Sequence, residues 1–404
     1  MHIRTHMFKN NTRVLLDNFE GRENQAFGSC IVRCVLPSLV SGSINCAPTV
    51  FYTYRQMLMA AKSKGRKAKR LTLADMIRDA VDSGGVFYSF EYSAARDPVP
   101  EDLYSRIERM KELRPTWIDV TWGFGNVGQK SIDAVRYVQK ELKMPVLMHL
   151  ICTEMTRTSL DVALETARLA GVRNILALRG YTQAGFSKWQ KSEDGDGTEP
   201  QYASELVEYI KNKYGDHFCI GVAAFPEGHP ESDGDLEKDI YYLKKKVDAG
   251  AEFIICQFCF SSAAFNAFLG RARLAGITVP ILPGIMPITS YSSAKLLSHT
   301  WAVQLPPAIE TKLKAHSLNG DVDAARKCGH NFIVDLCKEL LTCRRAEMEN
   351  KDDGVSNQPN PRRKRGKTKG KGGKQKNIVA EGKGLHFFVY DSEYEVRALL
   401  RDLV

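Results

Sequence analysis

From about residue 71 onward, short β-rich runs alternate with amphipathic helical periods, and this alternation limits the fold more than any other feature. Eight runs stand out, at residues 86–92, 117–121, 145–150, 174–178, 218–224, 252–257, 279–283 and 385–390. Seven of them follow one another at roughly 30-residue spacing, the length of one strand, one crossover helix and their turns. Between them lie stretches such as 129–142, where Ile132, Val135, Val138 and Leu142 share a stripe, and 236–249, with Ile240, Leu243 and Val247. Strands joined through helices pair in parallel by right-handed crossovers. Eight such units favour a closed (β/α)₈ barrel of the TIM type over an open sheet. Further helical periods are expected at 306–315, 322–345 and 393–403.

Two segments fall outside the alternation. Residues 1–70 lack a steady period and end in the basic stretch 62–70, so an irregular, partly disordered N-terminal extension is expected, with a short helix near 52–61. The barrel is expected to occupy 71–404, interrupted before its last strand by a low-complexity insertion at 350–383. That insertion is rich in Gly, Lys, Pro and Asn and has too little apolar content to build a core. Its segment 361–376, PRRKRGKTKGKGGKQK, holds nine of the 57 Lys and Arg and no acid. Without it, 48 basic residues face 47 acidic ones, so the net charge of +10 is local to one run. Such a run is usually a solvated linker. A weak nucleic-acid contact through 361–376 is the one partner role it suggests.

Composition narrows the class. At 43% hydrophobic and 26% charged residues the chain can bury an ordinary core, and no apolar run approaches the length of a transmembrane helix. The ten cysteines are scattered without paired CxxC motifs or zinc-finger spacing, which points to a reducing, cytoplasmic location and no structural metal. Residues 123–128 match GxGxxG after a strand. A Rossmann unit would then want an acid near the end of the next strand, where this chain has His149. The 365–368 stretch ends like a P-loop, but Pro361 stands where its first glycine belongs and no strand precedes it.

In a (β/α)₈ barrel the chemistry sits at the carboxyl ends of the strands. Those ends read Ser-Phe-Glu at 89–91, Val-Thr-Trp-Gly at 120–123, His-Leu-Ile-Cys at 149–152 and Ala-Leu-Arg-Gly at 177–180. His-Pro-Glu at 229–231, Gln-Phe at 257–258 and Pro-Ile-Leu-Pro-Gly-Ile-Met-Pro at 280–287 follow. Polar groups recur where a purely structural barrel would not need them. This ordered set, with Asp239, Tyr242, Lys245 and Lys246 on the helix after strand five, resembles the catalytic domain of methylenetetrahydrofolate reductase. The resemblance covers about 84–345 and 383–404. The family's S-adenosylmethionine-binding regulatory domain has no counterpart in these residues.

The resemblance implies an FAD-dependent oxidoreductase of one-carbon metabolism. Hydride would pass from NADH or NADPH to FAD and then to 5,10-methylenetetrahydrofolate in ping-pong fashion, giving 5-methyltetrahydrofolate for methionine supply. It implies a homo-oligomer as well. Glu91 would be the general acid that opens the folate's imidazolidine ring, with a pKa raised by an apolar, flavin-lined mouth. Thr121, Trp122, His149, Arg179, Gly180, Tyr181, Tyr202, Ala203, His229, Ser232, Asp239, Tyr242, Lys245 and Lys246 would hold FAD. Gln257, Phe225, Tyr181 and Ser293 would join Glu91 at the folate. Without the resemblance, Asp239, Tyr242 and Lys246 would read as a solvated helix face. His217, His299 and His316 have no motif support and read as surface residues.

The chain departs from the family pattern at three places. Tyr181 stands where an Asp contacting the pterin is usual, Ser293 near the position of a substrate-binding Gln, and Ser392 near that of a substrate-contacting Arg. The flavin site is therefore expected intact and the folate site remodelled. A second reading stays open beside the folate reductase. It is a barrel that keeps its fold but has lost or changed folate reduction, or one that acts as a binding protein through its basic segment.

Overall fold

The computed structural model describes residues 71–94, 100–122, 127–181, 197–342 and 383–403. The N-terminal extension with its helix near 52–61, most of the 123–128 glycine motif, loop residues 182–196 and almost all of the 350–383 insertion lie outside them.

Eight parallel strands close into one barrel in sequence order. They are β1 (Val86–Tyr92), β2 (Trp117–Val120), β3 (Val146–Ile151), β4 (Asn174–Leu178), β5 (Cys219–Ala224), β6 (Phe253–Phe258), β7 (Ile281–Ile285) and β8 (Lys383–Phe388). Helix α1 (Leu73–Ser83) precedes β1. Then α2 (Pro100–Lys111), α3 (Val127–Lys140), α4 (Arg157–Leu169), α5 (Ala203–Tyr214), α6 (Leu236–Asp248) and α7 (Ser262–Leu274) follow the first six strands in turn. Helices α8 (Tyr291–Trp301), α9 (Pro307–Leu318) and α10 (Val322–Thr342) follow β7, and α11 (Glu393–Leu403) follows β8. Among the described residues, no helix is long and apolar enough to cross a membrane.

The eight strands match the sequence expectation, with shifts at the last two. β7 runs two residues further than expected and includes Pro283 and Gly284. A Cβ at Gly284 would sit 2.4 Å from the Cys256 carbonyl and 2.7 Å from the Phe388 ring, so the missing side chain lets β6, β7 and β8 close together. β8 begins two residues early and stops at Phe388, which leaves Tyr390 in the following turn at φ 34°.

Every strand alternates its faces, as pleating requires. Val86, Tyr88, Phe90 and Tyr92 point outward into the main core beneath the helices. Phe87, Trp117, Leu147, Leu176, Cys219, Phe253 and Leu282 point inward and form a second, separate cluster with α1. Helix α1 plugs the amino-terminal end of the barrel through Leu73, Met76 and Ile77. Thr72 and Asp75 form a capping box at its start, and the Leu73 N–H donates to Asn174 Oδ1 at 2.9 Å. The capping residues lie in the sequence just after the basic stretch, within the region assigned to the barrel, but no helix is expected over these eleven residues from the sequence.

Candidate active site

Above the apolar plug the inward-facing positions change character. β1 turns in Ser89 and Glu91, β2 turns in Asp119, β3 turns in His149 and β8 turns in His386, and all five are buried. The β1–β2 register sets Glu91 directly beside Asp119, and the β1–β8 register sets Ser89 beside His386. His386 Nε2 is 3.1 Å from Glu91 Oε2, and Tyr390 donates its hydroxyl to Glu91 Oε1 at 2.7 Å. His149 Nε2 lies 3.8 Å from Glu91 Oε2 and 3.5 Å from Asp119 Oδ2. Ser89 Oγ is 2.8 Å from His386 Nδ1.

The electrostatics overturn the expectation of a raised pKa at Glu91. Burial alone would raise it. The charges of His149 and His386, with hydrogen bonds from His386 and Tyr390, outweigh burial and hold the carboxyl below its ordinary value. The mouth is not merely apolar, because two imidazoles face the acid from β3 and β8. At Asp119 burial dominates and the pKa is raised, despite His386 and His149. At His386 burial opposes the charged form, but Asp119 and Glu91 prevail and raise its pKa.

Glu91, His149 and Tyr390 of this cluster reach the floor of a cavity of about 680 Å³ at the carboxyl ends of the strands, a size usual for cofactor and ligand sites. Its lining includes Glu91, Thr121, Trp122, His149, Arg179, Gly180, Tyr181, Tyr202, Ala203, Phe225, His229, Ser232, Asp239, Tyr242, Lys246 and Gln257. Lys245 and Ser293 are not part of it. The Lys245 ammonium lies on the outer side of α6, 4.7 Å from the centre of the Tyr241 ring. Neighbouring lysines on a helix diverge by about 100°, so only Lys246 turns inward. Ser293 closes a capping box with Ser290 at the start of α8, and its hydroxyl is engaged there.

On one side of the cavity, Arg179 pairs in bidentate fashion with Glu231, with both N···O distances 2.7 Å. Gly180 follows at φ 90°, where a Cβ would meet Ile151 at 2.9 Å; the glycine lets the chain turn close under the Arg179 head. The Asp239 carboxylate accepts from the His229 N–H at 2.8 Å and from the Ser232 hydroxyl at 2.9 Å, which ties the 225–232 turn to α6. Lys246 donates to the Ala223 carbonyl at 2.8 Å, and burial pushes its ammonium down to about 8. Tyr202 caps α5 without a side-chain hydrogen bond, and Ala203 and Ser204 of that first turn line the cavity.

Sequence reading missed Asp119, His386, Tyr390 and Trp301, and held Glu231 only as part of the His-Pro-Glu motif. The signal for Asp119 and His386 was present: each is a titratable residue on the inward register of an otherwise apolar strand. Tyr390 and Trp301 gave no such signal, because loop and helix geometry carry them to the cavity. Trp301 meets Tyr181 edge-on, with ring centres 5.6 Å apart.

Comparison with known proteins gives a consistent pattern. The family model described as methylenetetrahydrofolate reductase matches residues 76–349. Methylenetetrahydrofolate reductase 2 of Saccharomyces cerevisiae is 41% identical over 264 residues, covering 64% of this chain and 43% of that protein. Methylenetetrahydrofolate reductase (NADH) 1 of Arabidopsis thaliana is 34% identical over 281 residues, covering 67% of this chain and 46% of the other. The 5,10-methylenetetrahydrofolate reductase of Salmonella typhimurium is 31% identical over 296 residues, covering 70% of this chain and 93% of its own. The matched region thus spans less than half the length of the yeast and plant relatives and nearly all of the bacterial one.

Proposed function

The chain belongs to the methylenetetrahydrofolate reductase family, and on that premise we propose that it reduces 5,10-methylenetetrahydrofolate to 5-methyltetrahydrofolate with NADH or NADPH through bound FAD. The observation that carries this reading is Glu91. It is a hydrogen-bonded carboxyl at the floor of a cavity also lined by Arg179, Lys246 and the first turn of α5.

The cavity wall suits FAD. Arg179 and Lys246 supply positive charge, and the first turn of α5 presents N–H groups with no side-chain cap, which together fit a diphosphate. Small residues at Ala177, Gly180, Ala203 and Ala224 let a planar ring approach the backbone. FAD held there would supply hydride transfer between the nicotinamide and the folate's methylene carbon.

The chain's own residues do the rest. Glu91 is placed to give a proton to the folate nitrogen whose release opens the imidazolidine ring. Tyr390 and His386 fix the carboxyl's orientation from two sides. Gln257 at the end of β6 supplies an amide beside the same floor, although its Oε1 also accepts from the Phe258 N–H at 3.0 Å. Tyr181, half-buried against Trp301, brings a phenol whose pKa is raised by its desolvation. A cytoplasmic setting suits the six described cysteines, all of which are free.

The test is direct. Denaturing the purified protein should release a flavin with the mass of FAD. Anaerobic addition of methylenetetrahydrofolate to the reduced protein should reoxidise it. Release of FMN, or no reoxidation by the folate, would overturn the reading.

A further inference from the structure

Glu91 and Asp119 are register partners on adjacent strands, and both point into the barrel. Glu91 is 5% exposed, and Asp119 and His386 are fully buried. Two carboxylates cannot sit side by side without water as bare anions; protons or counter-charges must accompany them. His386 stands between them, with Nε2 3.1 Å from Glu91 Oε2 and Nδ1 3.9 Å from Asp119 Oδ1. Its ring is locked edge-on against Phe388, with centres 5.0 Å apart, and by Ser89 at Nδ1. Of this trio only Glu91 borders the cavity.

We propose that His386, kept as an imidazolium by Asp119, holds the proton that Glu91 delivers into the cavity. This makes His386 and Asp119 positioning residues acting through Glu91, and it rests on the folate reading for the identity of the final acceptor. The step balances simply. The Nε2–H bond of the imidazolium breaks and an O–H bond forms on Glu91, leaving neutral His386. Glu91 then passes that proton to the substrate nitrogen, and after product leaves, a proton taken up from bulk solvent through the cavity restores the imidazolium by the reverse path. The arrangement answers the difficulty raised by the low pKa of Glu91. A carboxyl that is anionic at rest can still deliver a proton if one waits at hydrogen-bond distance.

The groups facing the trio are few. His149 approaches both acids from β3, and Tyr390 reaches Glu91 from the turn after β8. Tyr181 faces Glu91 from the end of β4. From β7 the register partner of His386 is Gly284, which brings no charge. Among the described residues, the partners of His386 are Ser89, Glu91 and Asp119.

Nitrogen NMR of histidine-labelled full-length protein tests this without turnover. At about pH 7.5, one unit above the ordinary histidine value, one imidazole should show both nitrogens protonated. His386→Gln should remove that signal, and Asp119→Asn should convert it to the neutral pattern. A neutral His386 in the wild type would overturn the proposal. Stopped-flow reoxidation of the reduced protein by methylenetetrahydrofolate is the second arm. The alkaline limb of its pH profile should move to lower pH by about one unit in both variants, with flavin reduction by NAD(P)H as the check that the barrel is intact. A uniform loss of rate with an unmoved limb means that His386 only packs, and the proposal fails. If the wild type does not react with the folate at all, the functional reading has failed, and the NMR result alone decides where the proton resides.

Discussion

The lower and upper halves of the barrel interior are built from the same eight strands with the same alternation, yet they differ in kind. Below, Phe87, Trp117, Leu147, Leu176, Phe253 and Leu282 meet the apolar face of α1. Two positions further along β1, β2 and β3, the inward residues are Ser89, Asp119 and His149, with Glu91 one step higher and His386 arriving from β8. The lower layer removes apolar surface from water and stabilises the fold. The upper layer buries charge, which is costly unless each group is matched. Titratable groups placed together at such cost are the groups that the proposed chemistry at the open end of the barrel would use.

Four substitutions press on this division, beginning with the largest effect. Glu91→Gln should slow reoxidation by the folate about 10²–10⁴-fold, while flavin content and reduction by NAD(P)H hold. Rapid-mixing measurement of the two half-reactions checks this. An equal loss in both would make Glu91 a part of the flavin site, and the upper layer would lose its separate role.

Trp117→Ala attacks the lower layer. The side chain is fully buried against Phe87, with ring centres 6.1 Å apart. Its removal should cost about 3–5 kcal/mol of stability, read by urea unfolding. The pH profile of whatever activity remains should keep its shape. A displaced profile would show that the two layers are coupled.

Tyr181→Asp sharpens the upper half. A carboxylate there offers two acceptor oxygens where the phenol offers one oxygen that also donates, and it would add a negative charge near the proposed flavin. Folate should bind more tightly by about 1–3 kcal/mol, and the flavin potential should fall, because reduced flavin is anionic. Titration and redox potentiometry measure these. The Trp301 contact is lost as well, so weaker folate binding would mean that the aromatic pair itself serves the substrate.

The smallest effect is expected at Glu231, on the rim. Its pairing with Arg179 holds its carboxyl below the ordinary value. The pair's contribution is therefore complete above the unfolded value of about 4.3 and fades as pH falls through the lower, folded value. Part-exposed pairs contribute little, so Glu231→Gln should change stability by less than about 1 kcal/mol and remove that acid-side decline. Freed of its partner, Arg179 should bind a diphosphate more readily, measurable as tighter FAD binding. Unchanged FAD affinity would leave Glu231 as a brace of the turn alone.

Much of this molecule was legible without coordinates, because the relevant physics is local. Short β-rich runs mark strands buried on both faces, and a period of 3.6 marks helices. Their alternation at a fixed spacing leaves few topologies, and all eight strands were visible in it. Residues at the ends of those strands, Thr121, His149, Arg179 and Gln257 among them, then follow from topology and do line the cavity. Lys245 and Ser293 do not, because rotation about a helix axis and capping at a helix start are settled residue by residue.

What tertiary structure alone decided was the company each acid keeps. Sequence placed Glu91 at a strand end and suggested an apolar surround. Closure of the barrel brought β8, almost 300 residues away, alongside β1, and with it His386 and Tyr390. A carboxyl's proton affinity depends on charges within a few ångströms. No local pattern encodes those distances, since they exist only once the first and last strands have paired.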